Sequence, residues 1–142
     1  MKRLAAVVFA LVLSGCGGSD TSSTTTTPSV ITGPSTQLFE GKLDPGGSAF
    51  YSFTVSSTGL ANVMLASVTT STSPGASSTV KLGLALGTPL GEDCVITNAI
   101  PASAGLTSQL VNSLTPGIYC TRVYDIGNLR STVNFAIRIV HT

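Results

Sequence analysis

The 142-residue chain has no tryptophan, one histidine, three cysteines and few charges, with charged residues at 9% and aromatic residues at 6%. Each shortage closes a class of chemistry. The lone histidine, His141, is the penultimate residue, so a Ser-His-Asp relay would have to be assembled on a chain end expected to fray. A zinc site built on the paired thiols Cys94 and Cys120 would need two further ligands, and the only histidine to draw on is His141 at the very end. Seven basic residues against six acidic ones leave no electrostatic footprint for nucleic acid. The longest apolar run, residues 4–13, is about half of the roughly 20 residues that a membrane-spanning helix needs.

What is present is a chain that is 42% hydrophobic, with its apolar residues in short separate runs. That excludes disorder and favours one small β-rich domain. Ahead of it, Lys2 and Arg3 precede the apolar run, and Ser14 and Gly15 close it, the order of a secretory signal. Leu13-Ser14-Gly15-Cys16 resembles the lipobox of bacterial lipoproteins. The resemblance implies cleavage after residue 15, acylation of Cys16, and attachment to membrane through the acyl chains, with about 0.8 kcal/mol from each buried methylene. Gly17, in place of aspartate, resembles the outer-membrane class, on either the periplasmic or the surface face. An ordinary secretory signal, with Cys16 a bystander, is the alternative. Loss of Lys2 and Arg3 leaves five basic against six acidic residues, a net charge of −1.

The domain organisation is therefore a signal peptide (1–15), a lipidated Cys16 with a Ser/Thr-rich linker (16–33) and a folded domain (34–142). The linker carries one charge and four consecutive threonines, and its composition is that of a tether reaching roughly 20–25 Å. Threonine-linked sugar is a further possibility for it.

In the domain, period-2 alternation bounded by turn residues predicts strands over 37–43, 50–55, 60–68, 80–86, 94–100, 106–114, 117–124 and 132–140. No stretch offers a crossover helix. The fold class is all-β: a small antiparallel β-sandwich, jelly-roll-like, of about eight strands. Tyr119 is expected to bury its ring and return its hydroxyl to nearby backbone, as in a tyrosine corner; a ligand-stacking role is the alternative.

Gly41-Lys42-Leu43-Asp44-Pro45-Gly46-Gly47-Ser48, then Phe50 through Val55, the leucines 82, 84 and 86, and Leu114 through Val123 together resemble the bacterial pre-peptidase C-terminal domain. The resemblance spans nearly the whole domain and implies a β-sandwich that serves as a substrate- or surface-binding module. Some related domains bind calcium; here Lys81 and Gly83 stand where many members have acidic residues, which disfavours calcium.

Cys94 and Cys120, 26 positions apart in an exported chain, are expected to form a disulfide across the two sheets. Loop-closure entropy makes such a bridge worth about 3–4 kcal/mol. Glu92 and Asp93 could flank a cation or act as acid and base, but a solvated turn explains them better. Arg122 and Arg138 are expected to face solvent, and with Arg130 to guard strand edges. No catalytic residue, metal ligand or cofactor is assigned. The expectation is a non-enzymatic, lipid-anchored envelope module that binds protein or polysaccharide. The alternatives are a spacer lipoprotein without a specific ligand and, less favoured, a hydrolase. Binding predicts exposed apolar residues at one loop end, within 69–79 or 126–130.

Overall fold

The structure is a computed structural model and describes residues 33–70 and 79–142. The expected signal peptide, Cys16 and nearly all of the linker lie outside the described residues, as does most of the loop after residue 70. Eight strands form: β1 (Ser35–Leu43), β2 (Ser48–Val55), β3 (Gly59–Thr70), β4 (Leu82–Leu90), β5 (Asp93–Ala102), β6 (Leu110–Leu114), β7 (Gly117–Tyr124) and β8 (Val133–His141). They build two four-stranded antiparallel sheets, ordered β1-β8-β3-β6 and β2-β7-β4-β5. First pairs with last, second with seventh, third with sixth and fourth with fifth. The wiring is that of one long hairpin, tipped at β4–β5 and wound into a double-sheet jelly roll.

Alternation produces the core. Leu43, Val63, Leu65, Phe135, Ile137 and Ile139 of the first sheet meet Phe53, Val55, Leu82, Leu84, Leu86 and Val123 of the second, all nearly inaccessible. Where Thr121 takes an inward position, its hydroxyl donates to the Ala85 carbonyl at 2.9 Å, which spares a buried polar group. At the open side of the sandwich, Asn98 of β5 donates to Asn112 of β6 across the two sheets at 3.0 Å. Tyr119 packs its ring near Phe53 and donates its hydroxyl to the Thr115 carbonyl at 3.1 Å, the corner its sequence context predicts.

Four expectations are corrected. The fourth strand starts later than expected and runs on through Gly87-Thr88-Pro89, with a register shift after Leu86. Proline is tolerated there because β4 pairs with β7 only as far as Gly87, so one side of its last residues is unpaired. The sixth strand begins at Leu110 instead of 106, and Leu106 is left on a loop, 91% exposed. His141 is not frayed: it pairs with Ser35, is 3% exposed and lies 5.1 Å from the Phe53 ring.

The fourth correction concerns the disulfide. Cys94 and Cys120 are bonded, but within one sheet, on the two strands that flank β4. Strands two places apart sit about 9.5 Å from each other, yet these Cα atoms are 5.9 Å apart. The bulge closes that gap. A Cβ on Gly87 would lie 2.0 Å from the Val95 carbonyl oxygen, so only glycine permits this approach, and the β4–β5 tip curls until Cys94 meets Cys120. The tip itself turns through Gly91 and Glu92, with Gly91 at φ 60°, as a tight two-residue hairpin requires.

A candidate binding groove on the first sheet

The antiparallel registers place two rows of side chains on the outer face of the first sheet. One row is Glu40, Ala136 and Ser67; the next is Lys42, Asn134 and Thr69. The short Ala136 methyl stands between longer neighbours, and the result is a groove of about 470 Å³ with β8 as its floor. Its walls are Glu40, Gly41 and Lys42 from β1 and Ser67 and Thr69 from β3. β3 carries its one-residue bulge at Ala66, beside the wall it forms.

The polar groups here are uncommitted. Among the described residues, the Glu40 carboxylate, Lys42 ammonium, Asn134 amide and the hydroxyls of Ser67 and Thr69 make no hydrogen bond or ion pair with another side chain or the backbone. Together they offer an anion, a cation, an amide and two hydroxyls around an apolar floor, so the groove can both donate and accept.

Two other polar clusters are bonded internally. On the outer face of the second sheet, Arg122 pairs with Asp93 at 3.3 Å and donates to Ser48 Oγ at 3.0 Å. Asp93 also caps the Cys94 amide at 2.8 Å. Arg122 thus has the outward direction expected of it but is half-buried and partnered, while Arg138 and Arg130 are exposed. Glu92 is exposed at the turn with no partner among the described residues, and Asp93 is committed to Arg122 and the Cys94 amide. Tyr124 lies over Gly83, where an added Cβ would fall 2.2 Å from the ring, so the small residues of β4 are roofed by side chains of β7.

At the loop end Asp125 is equally committed. Its Oδ1 accepts from the amides of Gly127, Asn128 and Leu129, and its Oδ2 from Gly46, all at 2.9–3.2 Å. These donors, Gly46 foremost, hold its carboxyl below the ordinary carboxylate range. The Asp44 carboxylate accepts from the Thr132 hydroxyl. The two turns are thereby stitched together. Among the described residues, no group of three or more His, Cys, Asp or Glu could hold a metal ion. Of the loops singled out by sequence, Ile126 is 43% exposed, and Leu106, which sequence placed in a strand, joins it at the same end.

The groove was not found from sequence. Ser67, Thr69 and Asn134 are ordinary polar positions of alternating strands; the register that aligns them with Glu40 and Lys42 pairs residues more than 60 positions apart. No protein-family model matches the chain, and no curated protein is significantly similar to it.

Proposed function

We propose that this chain is a lipid-anchored cell-envelope protein, acylated at Cys16 and held at the outer membrane, whose jelly-roll domain binds protein or glycan in the groove without catalysis. The leader sequence and the likeness to the pre-peptidase C-terminal domain support the address and the module. The observation that carries the binding reading is the set of five polar side chains around one concavity that have no partner among the described residues, where the clusters at Asp125 and at Arg122 and Asp93 are bonded internally. Placement agrees with it. The preceding chain enters at Ser35, and Lys42 lies seven residues further along an extended strand, about 23 Å away. A tether at residue 33 therefore leaves the groove toward the far end. The burial of His141 beside Phe53 withholds the one imidazole from any nucleophile, in keeping with a non-catalytic role.

A spacer without a specific ligand is the second reading, and it is favoured by one observation: among the described residues the exposed large apolar side chains, such as Leu38, Leu60, Leu90 and Leu106, are all aliphatic, and none offers an aromatic platform. The two readings separate in a titration of the full chain, extracted in detergent, against envelope glycans and matrix proteins. Saturable binding that Asn134→Ala with Thr69→Ala weakens at least tenfold supports the groove. Binding that ignores this pair of substitutions removes the groove from the account, and a flat response across the panel leaves the spacer.

A further inference from the structure

β1 is an edge strand, and its free backbone groups can be assigned. In an antiparallel strand both groups of a residue point to the same side, and sides alternate along the chain. On β3 the Val63 and Leu65 carbonyls accept from Gln109 and Gly105, so the odd positions there face away from β8. Met64 and Asn62 then bond to their β8 partners Arg138 and Val140, which leaves Ile137 and Ile139 for Phe39 and Gln37 of β1. The groups of residues 38, 40 and 42 consequently point off the sheet. Independently, the Glu40 carbonyl accepts the Tyr51 hydroxyl of β2 at 3.2 Å, keeping a second lone pair.

We propose that two copies of this chain associate through their β1 edges, antiparallel, about a twofold axis at Gly41. Outward residues must meet outward residues, so an axis can pass only through a residue and not between two. An axis at Glu40 sets carboxylate against carboxylate, and one at Lys42 sets ammonium against ammonium. At Phe39 the pairing becomes Leu38 with Glu40. Only the axis at Gly41, among these four, places Glu40 opposite Lys42 twice over, and it aligns Phe39 with Leu43 on the inner row. Lysine and glutamate on an edge ordinarily repel an added strand; here their spacing of two makes the edge complementary to its own rotated copy. Among the described residues neither ion has a partner, as a self-complementary edge needs. The association joins the two outer faces into one eight-stranded surface and sets two grooves side by side. It requires neither the ligand nor the acyl anchor of the preceding proposal.

The test is sedimentation of the full chain in detergent micelles at rising protein-to-micelle ratio, with E40K, K42E and the exchanged pair E40K/K42E. Each single reversal turns both cross-strand pairs into like charges and is expected to weaken association about tenfold or more, while the exchange restores it to within about twofold. Carbodiimide coupling of a mixture of heavy- and light-isotope chains should yield a mixed-isotope peptide joining Glu40 of one copy to Lys42 of another. A chain that stays monomeric throughout, single reversals that associate like the parent, an exchange that fails to restore, or mixed cross-links confined to other residues each overturns the proposal.

Discussion

The disulfide offers the sharpest quantitative test because its position turns a general stabiliser into a local one. Replacing both cysteines, C94A/C120A, releases a loop of 26 positions. The loop-entropy relation gives about 11.8 cal/mol/K for that closure, or about 3.5 kcal/mol at 25 °C. Both side chains are almost inaccessible, at 3% and 0%, so the loss of two packed sulfur atoms adds to the cost. For a single domain of this size the sum corresponds to a melting point lower by about 15 °C. The loss should also be uneven. Beyond Gly87, β4 pairs with β5 alone, and the bridge fastens the tip to β7 with only the surface pair of Arg122 and Asp93 beside it. Amide exchange should therefore rise first between Thr88 and Ile96, while Phe135, Ile137 and Ile139 stay protected until global unfolding. Urea unfolding of the full chain gives the magnitude and exchange mass spectrometry gives the location. A loss below about 1 kcal/mol with unchanged m-value, or a rise in exchange spread evenly over both sheets, would refute the reasoning.

Gly87→Ala should cost about 2 kcal/mol in the same urea assay, since the added methyl meets backbone and cannot be relieved by rotating a side chain. Tyr119→Phe removes the bond to the Thr115 carbonyl and should cost about 1 kcal/mol with binding unaltered. Asp125 has a folded pKa below its unfolded one, so its contribution is fully present above the unfolded value near 3.9 and is lost as pH falls through the lowered value. Acid titration followed by amide exchange should show the turns at Gly46 and Gly127 opening in that window, and Asp125→Asn should erase the pH dependence. Cys16→Ala should move the chain from the membrane fraction to the soluble fraction on cell fractionation, and an unchanged distribution would contradict the anchor.

Alternation carried the strands because burial on one face is written locally: Tyr51, Phe53 and Val55 turn inward at every second residue, and so do Val133, Phe135, Ile137 and Ile139. What alternation could not carry is anything decided by a partner strand. Gly83, Ala85 and Gly87 look like a solvent-facing row, yet all three are buried, because Tyr124 lies across Gly83 and the disulfide and Arg122 occupy the same face. Leu106 has the apolar character of a strand residue, but the edge strand β6 starts only where β3 offers Val63 as a partner for Leu110. The disulfide pair was readable from the expected export and from the two cysteines of the domain, whereas its path over β4 depends on a bulge at Gly87, a residue whose sequence context reads as the end of the strand.

The same division separates the two faces as functional surfaces. On the second sheet, small residues of β4 are filled in by the long side chains of β7, so polar groups there meet protein partners and the face closes on itself. On the first sheet the small residue, Ala136, lies in the middle strand between two walls, and nothing from β1 or β3 folds across it. A small side chain between large neighbours is filled in one sheet and left open in the other. That contrast comes from the register of the flanking strands and not from composition, since both faces draw on the same serine, threonine and single charges. The open case leaves the Asn134 amide and the Ser67 and Thr69 hydroxyls with hydrogen-bonding capacity that no described residue meets, and for that reason binding is assigned to the face carrying Asn134 and not to the loop end, where Asp125 already holds four amides.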